Sequence, residues 1–567
     1  MECGGLADNV GGSNAISVNP IKDSSSGSLD GFPQESVSLQ ETSEHVSSFI
    51  WKVLVFEDFV LLFLNTTDTD FDHDFPHSNV TCLFHSAASR PVSSSALGWS
   101  MRAIWCETPD NSHWSHLTGQ NVTAIIGTSK LSSSAVFNGT SAGAAMVYES
   151  VDAGNGSTLV FAKGLPLQRR REPNEERIRC LYGDGVTQVA VKVAGSCLEG
   201  VLCKPPSGKD SGVFAAGAVL TLSADNQTLA SVGRVRSLPG LRFPTRGKGG
   251  QRLEDRERAP GGGGSGQPHF HICMCTVIRD HAKYLREWVT YHAHLGVERV
   301  ILYDNGSADD IDSVVDSLQA FNVTKYPWPW IKAQEAGFAH CATRAREICV
   351  WLLFVDVDEF PFPAGLLLGP RPKPGQKPTR IPVSEGSALG AIIQKAEGVV
   401  EGEGKVLGSI GFKCQSFGAS GLEELPPSGQ AANYVCRMRK ANRFKSLVRL
   451  KAVGGPRCNN IHHFSHVKES GYVEHVPHIR EAVVKHFKFP VWKEFRQKFK
   501  RRASTVVRDW NDNNATGLED KVVGLTTDLE EPPDWRLRFC EVNDTDLQTY
   551  VKLVFSDPKL GLLPWER

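Results

Sequence analysis

Residues 349–360 read CVWLLFVDVDEF, and the fold turns on how this stretch is read. Its first half is an uninterrupted apolar run, too short for a globular helix and ended by charge, the signature of a central strand buried on both faces. Such a strand presents Asp356, Asp358 and Glu359 at its carboxyl end, the edge of an open α/β sheet where ligands bind. Three acidic groups there are costly unless a positive charge sits among them, and a hard divalent cation is the simplest one. If the strand continues through them, alternation sends Asp356 and Asp358 to the same side, so that both carboxylates reach one metal and the diphosphate it carries. The plain alternative is an acidic loop after a core strand.

A chain of 567 residues is too long for one core and predicts about two to four domains. Lys and Arg number 62 against 63 Asp and Glu, so the global charge balance gives no sign of a nucleic-acid partner. The 14 cysteines gain meaning from the N-x-Ser/Thr triplets that begin at Asn65, Asn79, Asn121, Asn138, Asn155, Asn226, Asn305, Asn322, Asn514 and Asn543. Together they point to the lumen of the secretory pathway. A membrane span needs about twenty apolar residues, and the run at 49–64 is broken by Lys52, Glu57 and Asp58.

Residues 1–50 hold too few large apolar groups to order a backbone and read as a disordered or atypical N-terminus. From 51 to 240, short runs such as KVLVF, FVLLFL, GSTLVF and QVAVKVA alternate with Gly, Ser, Asn and Asp, predicting an antiparallel β-rich domain, either a stem or a carbohydrate-binding module. Cys82, Cys106, Cys180 and Cys203, with Cys197 near, could form two staples there, and four cysteines allow three pairings. Residues 241–268 contain RGKGGQRLEDRERAPGGGGSG, a flexible linker unable to hold a fixed geometry. The segment 269–567 then alternates strand and helix. HFHICMCTVI precedes a helix with Tyr284, Leu285, Trp288, Tyr291 and Leu295 on one face, ended by Gly296; ERVILYD leads to a helix over 311–321; KAQEAGFAHCATRAREI is a third helix feeding the acidic strand. This order predicts a mixed, mainly parallel sheet with right-handed crossovers. Arg279, Asp304 and Asn305 fall at carboxyl ends of strands, while Gln334, His340 and Arg344 could face the same cleft, Arg344 suiting a nucleotide diphosphate. A turn or helix-capping role is the alternative for Asp304, and a surface ion pair for Arg344. Cys414 and Cys436 flank a loop that a staple could close, whereas Cys273, Cys275, Cys341 and Cys349 read as buried thiols.

Several long motifs occur in a fixed order: TVIRDHAKYLREWVTYHAHLGVERVILYDNGSADD, WPWIKAQEAGFAHCATRAREICVWLLFVDVDEF, FKSLVRL, HHF, KHFKFPVWKEFRQKFKRRASTVVRDW and PPDWRLRFCEV. Together they resemble plant members of glycosyltransferase family 92, from about Lys52 to the C-terminus. The resemblance implies a GT-A type nucleotide-sugar transferase domain with a C-terminal helical extension, a divalent metal, manganese by preference, and a Golgi protein anchored by an N-terminal helix that is not evident in this chain. It further implies a UDP-sugar donor, UDP-galactose in characterised plant relatives, and a polysaccharide acceptor such as β-1,4-galactan; a homodimer is compatible with it. Asp356, Asp358 and His486 resemble the metal ligands, with His462 and His463 as competing histidines. Thr276, Arg279, Asp304, Asn305, Gln334, His340, Arg344 and Lys445 form the expected donor-binding set, and Arg449 is a further cation for the diphosphate. Inverting transfer also needs a general base near the acceptor; Glu359, Glu423, Glu424 and Asp509 are the candidates. The run 485–502, with Trp492, Phe495 and Phe499 at helical spacing, reads either as a helix packed on the sheet or as a contact for an acidic polysaccharide. Two rival readings are a carbohydrate-binding protein with a degenerate transferase domain and a metal-dependent phosphoesterase.

Overall fold

The computed structural model describes residues 49–136 along their strands and, with short gaps, 145–233, 268–364, 388–464, 471–506 and 530–566. The disorder expected for 1–50 and the linker expected at 241–268 lie outside the described residues, apart from Phe49, Ile50 and Pro268. The apolar run at 49–64 forms two antiparallel strands, Phe49–Val55 and Phe59–Asn65. Five more strands, ending with Ser129–Val136, close this pair into a barrel. No described helix is long and apolar enough to cross a membrane.

A second sheet of eight strands runs from Met146–Gly154 to Ala230–Ser231. Its first two strands, Met146–Gly154 and Ser157–Lys163, alternate between two cores. Val147, Val160 and Ala162 pack with Tyr182, Leu222 and the Cys180–Cys203 disulfide. Met146, Tyr148, Leu159 and Phe161 point the other way, into a core shared with Tyr303, Trp328 and Trp330 from the second half of the chain. The Tyr148 and Trp330 ring centroids are 4.6 Å apart, and Phe161 meets Trp328 edge-on at 6.1 Å. A disulfide between Cys197 and Cys458 ties the same two layers across 261 residues of sequence. Side-chain packing and this bridge set their geometry, whatever the linker does. Replacing Cys197 and Cys458 together by Ser is expected to cost about 2–5 kcal/mol of stability. A thermal midpoint equal to wild type under non-reducing conditions would mean the bridge is not formed.

The third sheet has nine strands, numbered here in chain order: β1 Phe270–Ile278, β2 Arg299–Asp304, β3 Val323–Pro327, β4 Cys349–Phe354, β5 Glu359–Phe362, β6 Val406–Ser416, β7 Asn442–Arg449, β8 Tyr472–His475 and β9 Val483–His486. Their spatial order is β3-β2-β1-β4-β7-β6-β9-β5, with β8 paired to β6. The β3-β2-β1-β4 half is parallel. β7 pairs antiparallel with both β4 and β6, β9 runs parallel to β6, and β5 closes the edge antiparallel to β9. The result is a mixed α/β architecture. Helices α1 Ala282–His294, α2 Ile311–Ser317 and α3 Gln334–Ala345 make the crossovers of the parallel half. Among the described residues three more follow: α4 Ala388–Glu401, α5 Trp492–Val506 and α6 Asp546–Phe555. α1 buries Leu285, Trp288 and Tyr291 against the sheet, and Gly296, at φ 103°, stops it in a conformation that glycine adopts without strain. α2 is shorter than the sequence suggests, because the chain tightens into a 3-10 turn over Gln319–Phe321.

Two cysteine readings need correction. Cys273 is bridged to Cys349 and Cys275 to Cys341, so these four are not thiols. β1 lies beside β4 and under α3, which brings the Cα atoms of each pair to 6.0 and 6.9 Å. Cys436 pairs with Cys540 instead of Cys414, because Cys436–Arg437 forms a two-stranded ribbon with Val542–Asn543. Cys414 stays a buried thiol.

Candidate active site

β4 stops at Phe354, and the chain turns immediately after it. The Glu359 N–H donates to the Asp356 carbonyl at 3.0 Å, and the Asp356 N–H donates back to Glu359 Oε2 at 2.9 Å. This turn overrides the strand alternation, so the two aspartates do not meet on one side. Asp356 faces Lys445 and His462, whereas Asp358 faces Lys498 and His486. Glu359 lies between them, fully buried, with Oε1 2.7 Å from Lys445 Nζ and 3.5 Å from His486 Nδ1. Sheet order explains the convergence. β7 sets Ser446 opposite Phe354, so Lys445 reaches the turn, and β9 sets His486 opposite Glu359.

Ligand atoms of Asp356, Glu359 and His462 lie within 4.8 Å of one another, as do those of Asp358, Glu359 and His486. Two sets of side chains that could hold a metal therefore share Glu359. Carboxylate oxygens with one imidazole nitrogen make a donor set that suits a divalent cation. The sets differ in how firmly an ammonium group already occupies them. Lys445, its side chain 8% exposed, lies 3.0 Å from Asp356 Oδ2, and it also touches Glu359 and hydrogen-bonds His462 Nε2. Lys498 reaches Asp358 from α5 with its side chain 31% exposed. Burial alone raises both aspartyl pKa values, but Lys445 with His462, and Lys498 with His486, outweigh it and hold both carboxyls well below their usual range. Burial lowers the pKa of Lys445, yet Asp356 and Glu359 more than reverse this and keep the ammonium charged.

The remaining candidate residues divide into those near the turn and those away from it. Gln334 Nε2 lies 3.4 Å from Asp356 Oδ1. Thr276 is buried on β1, and its hydroxyl is without a hydrogen-bond partner among the described residues. Asp304 accepts from the Ser307 N–H and hydroxyl and pairs with Lys325 at 3.3 Å, which is the geometry of a turn aspartate. Asn305 donates to the carbonyls of Trp328 and Trp330, and Arg279 is 3.9 Å from Asp280. His340 and Arg344 do not join the cleft. They share a face of α3 well round the axis from Gln334, and that face packs where the two sheets meet: His340 Nδ1 is 2.7 Å from the Tyr303 hydroxyl of β2, its ring is 5.7 Å from Phe161 of the eight-stranded sheet, and Arg344 lies 4.5 Å over the Tyr326 ring of β3. Arg449 is tied to Glu397. His463 turns to Ser446 Oγ, the Phe444 carbonyl and Glu474, and is in neither of the two metal-competent sets. Of the base candidates, Glu359 is sealed from solvent, Glu423 pairs with Arg536, and Asp509 lies outside the described residues.

A match to the model of glycosyltransferase family 92 covers residues 269–374, from β1 through the acidic turn. A family 92 glycosyltransferase of Ricinus communis is 35% identical over 534 residues, 91% of this chain and 85% of that protein. The chain belongs to glycosyltransferase family 92. Family 92 proteins of Arabidopsis thaliana and Oryza sativa subsp. japonica are 35% and 34% identical, over 74% and 73% of this chain and 68% and 67% of theirs. Among solved structures, S. aureus TarS overlaps 33% of this chain and 39% of its own at 8% identity and a TM-score of 0.13, too slight a likeness to assign a fold. Family 92 membership makes the protein a glycosyltransferase, acting on a sugar donor and an acceptor.

His462, His486, Lys445 and Lys498 all lie beyond the segment matched by the family 92 model. Sequence reading did not select Lys498, one cation in a basic run. Its only sequence signal is the i,i+4 spacing from Glu494, which the Tyr284 hydroxyl contacts at 2.9 Å. Glu287 was missed as well. Buried in α1, with its pKa pushed up to about 7 by that burial, it accepts the N–H groups of Gln430 and Ala431; Gln430 Nε2 in turn lies 3.4 Å from the Val357 carbonyl inside the acidic turn.

Proposed function

We propose that this family 92 glycosyltransferase moves galactose from UDP-galactose onto a β-1,4-galactan type polysaccharide, with manganese as cofactor and a GT-A fold around the site. The observation that carries the metal-dependent part is the meeting of Asp358, Glu359 and His486 at the carboxyl edge of the sheet. Galactose, galactan and a Golgi location rest on the family resemblance. The disulfides Cys180–Cys203, Cys197–Cys458, Cys273–Cys349, Cys275–Cys341 and Cys436–Cys540 support an oxidising lumen over the cytosol.

A divalent ion bound there would supply Lewis-acid neutralisation of the departing diphosphate. Asp358, Glu359 and His486 would hold it. Lys445 pairs with both Asp356 and Glu359 and fixes the turn that carries them. Gln334 steadies the far oxygen of Asp356. With Glu359 buried, the base that takes the acceptor proton has to come from another residue. The ammonium of Lys445 within the Asp356 set also speaks against a two-ion hydrolase.

A donor screen tests the reading. With Mn²⁺ present, UDP release is measured from a panel of nucleotide sugars, with and without β-1,4-galactan oligosaccharides. Release from UDP-galactose, stimulated by the oligosaccharide and abolished by EDTA, is expected. Acceptor-dependent release from a different donor would discard galactose and keep the transferase, while no release from any donor would leave a carbohydrate-binding role.

A further inference from the structure

We propose that Lys498 is a second-ligand residue of the donor site: it competes with the divalent ion for Asp358, and the ammonium so released binds the donor diphosphate. This rests on the metal-dependent reading above and assigns a role to a residue outside the expected donor-binding set. The two lysines of the cluster are built differently. Lys445 is enclosed and touches Asp356, Glu359 and His462, so an approaching cation does not move it easily. Lys498 pairs with Asp358 from the surface helix α5, at the outer side of the cluster.

α5 does not need this ion pair to stay in place. Phe495 and Phe499 are 4% and 8% exposed, and Phe495 packs against both Trp535 and Phe499, while Glu494 is held by the Tyr284 hydroxyl and by Lys283. The Lys498 side chain is therefore free to swing on its four-carbon stem about a fixed anchor. Charge favours the exchange. Three carboxylates against two ammonium groups leave one negative charge at the cluster. A divalent ion turns it into one positive charge, and an anionic diphosphate is opposite to it in sign and can meet both the ion and the freed ammonium.

Two affinities measured on the full chain, each for wild type, Lys498→Ala and Lys498→Arg, test this. Calorimetry reads Mn²⁺ alone, and then UDP at saturating Mn²⁺. Lys498→Ala should bind Mn²⁺ about fivefold more tightly, since a competing ion pair is gone, and UDP about tenfold more weakly, since a charge-assisted contact is lost. Lys498→Arg should recover much of the UDP affinity. A purely structural lysine would shift both affinities the same way or neither, and either result overturns the proposal. Wild-type protein that binds neither Mn²⁺ nor UDP would overturn the metal-dependent reading, and this proposal with it. Unchanged binding in Lys498→Ala beside normal wild-type binding would overturn the role of Lys498 alone.

Discussion

Glu359→Ala lowers the stability of the folded protein by about 3–5 kcal/mol, the usual cost of breaking a buried ion pair from one side. The carboxylate is fully buried, accepts the Asp356 N–H, and lies 2.7 Å from Lys445 Nζ. Truncation strands an ammonium whose side chain is only 8% exposed, with Asp356 as its remaining carboxylate partner. It also leaves the Asp356 N–H without its acceptor, so the acidic turn loosens together with the strand edge. Glu359→Gln keeps the shape and one acceptor oxygen, and should fall between the variant and wild type. Thermal and chemical denaturation of the three proteins checks this. Equal midpoints for Ala and wild type would show that the Lys445 pair contributes nothing.

Asp358→Ala abolishes transfer while leaving the fold nearly intact. Its carboxylate pairs with Lys498 and lies 3.5 Å from His486 Nε2, at the rim of the cluster and not at its centre. The stability change should stay within about 1 kcal/mol, as for a partly exposed ion pair. The catalytic loss should be at least on the order of 10³-fold, because neutralising a leaving diphosphate by a metal is a contribution of several kcal/mol and each 1.36 kcal/mol is a factor of ten. Acceptor-dependent UDP release and Mn²⁺ affinity, measured on one preparation, decide the matter. Transfer within tenfold of wild type would remove Asp358 from the metal set. Lys498 and His486 hold this carboxyl well below its usual pKa, so in the wild-type protein it stays ionised at neutral pH and available to a cation.

Sequence alone determined the alternation of strands and helices in the second half, the placing of an acidic turn after a central strand, and the family. Those signals are local. An apolar run ended by Asp356 has only a few ways to be buried, and the α1 face at Leu285, Trp288 and Tyr291 repeats at helical spacing. Tertiary structure decided everything that depends on which element lies beside which. The spacing of α3 puts His340 and Arg344 on one face but not what that face meets; the answer, Tyr303 and Tyr326 of the nine-stranded sheet with Phe161 of the eight-stranded one, needed Phe161 to arrive from residues far earlier in the chain. Cysteine pairing followed strand neighbours, as with Cys273 and Cys349, and not spacing along the chain. The divergence of Asp356 and Asp358 came from a turn closed by a side chain, Glu359, that reads in sequence as one more acidic residue. His486 and Lys445 enter the site only because β9 and β7 are inserted where they are in the sheet, and strand order is set by burial of whole faces, which no local pattern encodes.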